Sequence, residues 1–89
     1  MPERRVTLVN KRGLHARAAS RLVQVASEFS SDVSVRHGDR EADGKNIMSL
    51  LMLAAPVGTE VVLAAAGDDA AAALDRLCAL VENRFYEEE

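Results

Sequence analysis

Residues 16–36 read ARAASRLVQVASEFSSDVSVR, and the spacing of their apolar positions changes once along the way. From Ala16 to Phe29 the residues Ala19, Leu22, Val23, Ala26 and Phe29 form one stripe, with Arg17, Arg21, Gln24 and Glu28 opposite. That is the pattern of a helix with one buried side. From Asp32 to Arg36 the interval drops to two, with Val33 and Val35 alternating with Asp32, Ser34 and Arg36. That is the pattern of a strand with one buried face.

Working outward, Arg5-Val6-Thr7-Leu8-Val9 reads as a first strand with Val6 and Leu8 on one face, and Asn10 to Leu14 as a loop in which Gly13 permits a turn. Downstream, His37-Gly38-Asp39 supplies an exposed turn and Arg40 to Asp43 a short polar edge strand. Asn46 suits the N-cap of a short helix over Ile47 to Leu53, which Pro56 and Gly58 end. Glu60 to Ala66 is apolar on both faces and belongs inside the sheet. Gly67-Asp68-Asp69 is a turn with capping residues before a last helix from Ala70 to Phe85, whose inward positions are Leu74, Leu77, Cys78, Val81 and Phe85. Glu87-Glu88-Glu89 reads as a solvated tail. The order is βαββαβα. Four short strands and three helices bury a core only if the helices share one face. The expected fold is therefore a single α+β domain over residues 1–89: an open-faced two-layer sandwich, with a four-stranded antiparallel sheet and three helices on one face.

The 89 residues are 48% hydrophobic, enough for one modest aliphatic core. No apolar run approaches the roughly 20 residues that span a bilayer, and no apolar segment follows the charged N-terminus as in a secretory signal. Cys78 is the only cysteine, which rules out an intramolecular disulfide. A cytoplasmic location without membrane insertion is expected. The formal charge of −3 argues against nucleic acid as a partner. Its distribution is uneven: Val6 to Ser27 contains no acid but holds Lys11, Arg12, Arg17 and Arg21, so this window carries +4 and the remainder −7. A basic patch on an acidic protein points to an anion site or an acidic partner surface.

His15 stands where the loop meets the helix. The first amides of a helix have no intrahelical partner and carry a partial positive charge, so an anion gains hydrogen bonds and dipole stabilisation there. Acids commonly fill that turn; this one has Arg17, which opposes the dipole until an anion arrives. Imidazole titrates near neutrality and is nucleophilic when neutral. A guanidinium matches phosphate oxygens with its planar fork. A nucleophile, an anion cradle and a guanidinium thus fall within one turn.

Gly13-Leu14-His15-Ala16-Arg17 resembles the phosphorylation-site motif of the HPr family, the histidine-containing phosphocarriers of the phosphoenolpyruvate-dependent phosphotransferase system. The basic loop, Lys45-Asn46-Ile47-Met48 at the start of the short helix and the strand between Gly58 and Gly67 fall in that family's order and spacing, so the resemblance covers nearly the whole chain. It implies that His15 accepts a phosphoryl group on Nδ1 from Enzyme I and passes it to a IIA-type protein, with Arg17 supporting the phosphate. It also implies docking through Arg12, Ala16, Ser20, Arg21, Ile47, Met48 and Leu51. No cofactor and no metal are implied. The chain would be a phosphoryl carrier rather than a turnover enzyme.

Two positions depart from the family pattern. Ala18 replaces the usual proline after the arginine, and alanine still forms a helix there. Asn46 occupies the place of a regulatory serine and has no hydroxyl for a kinase to modify. Leu50-Leu51-Met52-Leu53 looks like the nitrogen-related branch called NPr, in which the alternative function is a regulatory module that binds partners according to its phosphorylation state. A third possibility is an anion-binding domain without covalent chemistry. His37 reads as an exposed turn residue and Cys78 as inert core; Met48 and Met52 suit core packing, and only the resemblance makes Met48 a docking residue.

Overall fold

The computed structural model describes residues 2–86; the sequence reading of Glu87-Glu88-Glu89 lies outside them. The elements are β1 (Glu3–Thr7), α1 (Ala16–Ala26), β2 (Asp32–His37), β3 (Arg40–Asp43), α2 (Ile47–Met52), β4 (Glu60–Ala66) and α3 (Ala70–Glu82), followed by one 3-10 turn over Arg84–Tyr86. The strands form one antiparallel sheet in the order β1-β4-β2-β3. As its apolar content predicts, β4 is interior. Val33, Val35, Ala42, Val61, Leu63 and Ala65 project from one face into a core shared with Leu22 of α1, Leu50 of α2 and Leu77 of α3. The opposite face is open and carries cross-strand ion pairs, Arg36 to Glu3 at 3.2 Å and Arg5 to Glu60 at 3.8 Å. The protein has the expected α+β open-faced architecture. Among the described residues, no helix is long and apolar enough to cross a membrane.

Several local expectations need correction. The first strand begins and ends two residues early, because β1 pairs Glu3 with Ala64 and Thr7 with Glu60. Its charged start is tolerated because Glu3 reaches Arg36 on the open face and Arg4 reaches Asp75 on α3 at 3.0 Å. Leu8 lies past the strand but stays buried, its amide bonded to the Thr59 carbonyl at 2.9 Å. Helix α1 stops at Ala26, and its buried stripe runs through Ala18, Ala19, Leu22, Val25 and Ala26, leaving Val23 and Phe29 half-buried. His37 is not an exposed turn residue. It ends β2 opposite Arg40, half-buried, with Nδ1 3.5 Å from the Leu53 carbonyl oxygen. The turn is Gly38-Asp39 alone, with Gly38 at φ 60° in the first position, where a two-residue hairpin loop takes glycine without strain.

Helix α3 ends at Glu82, short of Phe85. Arg84, Phe85 and Tyr86 then take left-handed φ values of 57°, 56° and 62°, each at a cost of about 1–2 kcal/mol. Two long-range contacts hold that turn: the Phe85 ring is fully buried, and the Arg21 guanidinium on α1 donates to the Phe85 carbonyl. Phe85 therefore points inward as expected, but from a turn rather than a helix. Cys78 is half-buried at the edge of the core, where burial pushes its thiol pKa up.

Asp69 takes the N-cap position of α3 without capping it. Its carboxylate instead accepts the amides of Ser30 and Ser31, each at 2.9 Å, and the Ser31 hydroxyl, tying the entry of β2 to the entry of α3. The Ser31 hydroxyl, then the Ser30 amide, lower its pKa to about 2. A carboxyl depressed in the folded state stabilises the protein above its unfolded pKa. That contribution is lost as the pH falls through the folded one. Stability of the wild type should therefore drop between about pH 4 and pH 2, and Asp69→Asn should flatten that part of the profile. Thermal melts across the range measure this; parallel profiles for the two proteins would remove Asp69 as the cause.

Candidate functional site

The loop from Asn10 to His15 is held from three sides. Asn10 is fully buried, and its Nδ2 donates to the Gly13 carbonyl at 2.6 Å, while the Gly13 amide donates back to the Asn10 carbonyl at 3.1 Å. Leu14 is buried, and its amide donates to the Ala55 carbonyl at 2.9 Å. Gly13 has φ 64°, and a Cβ there would collide with the Ala55 carbonyl oxygen and come within 2.8 Å of Pro56 Cα. The chain accordingly needs glycine at 13 for two reasons, conformation and space. Ala54, at φ 51°, makes the left-handed exit from α2 that presents the Ala55 carbonyl to this loop.

His15 is the N-cap of α1. Its backbone is extended, with φ −89° and ψ −178°, and its carbonyl accepts the Ala19 amide at 2.8 Å to open the helix. Its side chain faces the helix: Nδ1 accepts the Arg17 amide at 3.3 Å. A nitrogen that accepts a hydrogen bond is unprotonated, so the neutral ring carries its proton on Nε2. The Nδ1 lone pair is thus aimed at the positive end of an 11-residue helix with no acid in its first turn. Whatever replaces that lone pair as acceptor inherits the same amide.

The structure places the remaining sequence-derived candidates around this point. Arg12 is exposed on the turn before Gly13, and Ala16 and Arg17 are exposed in the first turn of α1. Ser20 and Arg21 are half-buried a turn further on, and the Arg21 guanidinium is already engaged by the Phe85 carbonyl. Ile47, Met48 and Leu51 lie on α2, which packs against α1. Ile47 and Met48 are exposed and Leu51 is half-buried. Met48 at 65% and Met52 at 71% exposure are not core residues, which corrects that reading of both. Asn46 caps α2 as expected, its side-chain oxygen accepting the Ser49 amide at 3.1 Å. Lys45 is turned away, its Nζ donating to the Phe29 carbonyl at 2.8 Å. Sequence reasoning missed Asn10 and the Ala55 carbonyl. An Asn three residues before a Gly is a visible turn signal, but the partner across the fold leaves no local trace.

A sequence model of PTS-HPr, described as the PTS HPr component phosphorylation site, matches residues 2–83. The chain belongs to the HPr family. It is similar to the phosphocarrier protein HPr of Cupriavidus necator, at 46% identity over the full length of both chains. It is also similar to the phosphocarrier protein NPr of Shewanella violacea, at 46% identity over 96% of this chain and 93% of that one. Among solved structures, HPr-C-His from Thermoanaerobacter tengcongensis covers both chains completely with a TM-score of 0.95 at 40% identity. HPr from Bacillus anthracis covers 90% of this chain and 95% of its own with a TM-score of 0.86 at 34% identity. HPr membership makes this a phosphocarrier, and the matched span includes the His15 cap and α2.

Proposed function

We propose that the protein accepts a phosphoryl group from Enzyme I on Nδ1 of His15 and hands it to a IIA-type protein, acting as a carrier rather than a turnover enzyme. The observation that carries this reading is the hydrogen bond from the Arg17 amide to Nδ1. That bond uses the Nδ1 lone pair as its acceptor and aims it into an anion-binding helix end. In the transfer, the lone pair forms the new bond to phosphorus as the donor's bond breaks and keeps its electron pair. The ring turns out of its cap for this step. Phosphoryl oxygens then take over the Arg17 amide, and the reverse exchange to the acceptor restores the cap. The exposed apolar side chains of Ile47 and Met48, with Leu51 beside them, supply affinity for both partners, and Arg12 and Arg17 supply steering toward acidic surfaces. Intact-mass measurement after incubation with Enzyme I and phosphoenolpyruvate tests the proposal: one acid-labile phosphoryl group is the expected result, and an unmodified mass with active Enzyme I would refute it.

Arg17 separates support of the phosphate from support of the fold. Its side chain is exposed in the first turn, so Arg17→Ala should keep stability within about 0.5 kcal/mol of wild type. Loss of the guanidinium should slow transfer by roughly tenfold or more, since it compensates charge as the phosphoryl group arrives and leaves. Quench-flow transfer rates in both directions, set beside thermal melts, check the two halves. Unchanged rates would take Arg17 out of the site.

A further inference from the structure

We infer that Asn10 is the positioning residue for His15, an inference that rests on the phosphocarrier reading only for its kinetic half. A fully buried polar side chain in a surface loop is costly unless its hydrogen bonds matter to the structure around it. The Asn10 side chain does not bond its own turn at random. Its Nδ2 donates to the Gly13 carbonyl at 2.6 Å, and the same carbonyl oxygen accepts the backbone amide of His15 at 3.0 Å. The two donors share the two lone pairs of one oxygen. Asn10 thereby fixes the plane of the Gly13 peptide, and that peptide fixes the direction of the His15 amide. The His15 amide in turn sets the backbone from which the imidazole reaches Arg17.

The cap itself, at 3.3 Å, is a long hydrogen bond and holds the ring weakly on its own. The Gly13 carbonyl and the Leu14 amide are opposite ends of one planar peptide. The Leu14 amide to Ala55 bond holds that peptide at one end, and the Asn10 Nδ2 holds it at the other. A glycine on one side of the peptide lets it tilt easily when one of the two holds is lost. Without the Nδ2 donor, the Gly13 carbonyl tilts about the remaining hold, the His15 amide follows its acceptor, and Nδ1 is displaced from the Arg17 amide.

The test uses Asn10→Ala, which removes the donor, and Asn10→Asp, which keeps the shape but replaces the donor with an acceptor that repels the Gly13 carbonyl. Two readouts are taken on the full chain: the imidazole nitrogen resonances of His15 across its titration, and the rate of phosphoryl uptake from Enzyme I. Both variants should give His15 nitrogen signals displaced toward those of an uncapped ring and uptake slowed by roughly ten- to a hundredfold, with His37 signals unmoved. Unchanged His15 signals in folded variants overturn the inference whatever the rate does. If the wild type itself takes up no phosphate, the phosphocarrier reading fails, and the nitrogen signals still decide the positioning role. Should both variants unfold, the wild type decides: the Asn10 side-chain amide resonances must shift as His15 is titrated, and their indifference refutes the coupling.

Discussion

His15→Ala is expected to take up no phosphoryl group from Enzyme I and phosphoenolpyruvate, whereas His37→Ala takes up one like the wild type. The two histidines separate on geometry rather than on chemistry. His15 presents Nδ1 to the Arg17 amide at the start of α1, where the dipole and the first-turn amides favour an anion. His37 presents Nδ1 toward the Leu53 carbonyl, at the C-terminal end of α2. A phosphoryl group there would meet carbonyl oxygens and the negative end of a helix dipole, both repulsive. His15→Ala should also remain folded. It loses an N-cap, at a cost of about 0.5–2 kcal/mol, against a core to which the half-buried imidazole does not belong. Intact-mass spectra of the three proteins, with circular dichroism to show folding, measure this. A phosphoryl group on folded His15→Ala would move the site elsewhere.

Gly13→Ala should show the largest combined loss of stability and transfer. An added Cβ at φ 64° costs about 1–2 kcal/mol from the backbone alone. The same Cβ overlaps the Ala55 carbonyl oxygen and the Pro56 backbone, and because these are backbone atoms no side-chain rotation relieves the overlap. Overpacking of that kind adds roughly 1–3 kcal/mol. The loop can escape only by moving away from Ala55, which breaks the 2.9 Å bond from the Leu14 amide and carries His15 with it. The expected result is a midpoint shift in urea corresponding to a few kcal/mol, of the order of those two terms together, and phosphoryl uptake reduced at least as far as in Arg17→Ala. Gly38→Ala is the control: it also has positive φ, but a Cβ there meets nothing, so it should lose only the backbone part and leave uptake intact. Equal losses in the two variants would show that contact with Ala55 is immaterial.

How much of this was legible in advance depends on the sequence distance over which each feature is decided. The bounds of β3 and β4, the short helix behind Asn46 and the placement of His15 at a helix start were readable, because each is settled by periodicity or capping within a few neighbouring residues. The interior position of β4 was readable as well, since its apolar residues alternate onto both faces. The amide of Arg17 is two residues from His15, so even the cap at the centre of the candidate site is local chemistry.

Other features are decided by partners far along the chain, and for these the tertiary structure alone was decisive. Asp69 follows Gly67-Asp68 like a helix cap, yet Ser30 and Ser31, nearly 40 residues earlier, offer it two amides and a hydroxyl and outcompete the helix. The last helix keeps its apolar period to Phe85, but burial of that ring and the Arg21 guanidinium 64 residues away hold the chain in a left-handed turn. His37 looks like a surface turn residue until the fold sets Leu53 beside it, and the bond of the Leu14 amide to Ala55, about 40 residues on, leaves no local trace. Met48 and Met52 fit either a core or a surface by type, and only the packing of α2 leaves them in solvent. The local sequence thus determined where a nucleophilic imidazole meets a helix end. The tertiary structure decided how firmly that imidazole is held, because the contacts that hold its loop come from backbone groups whose positions no local period encodes.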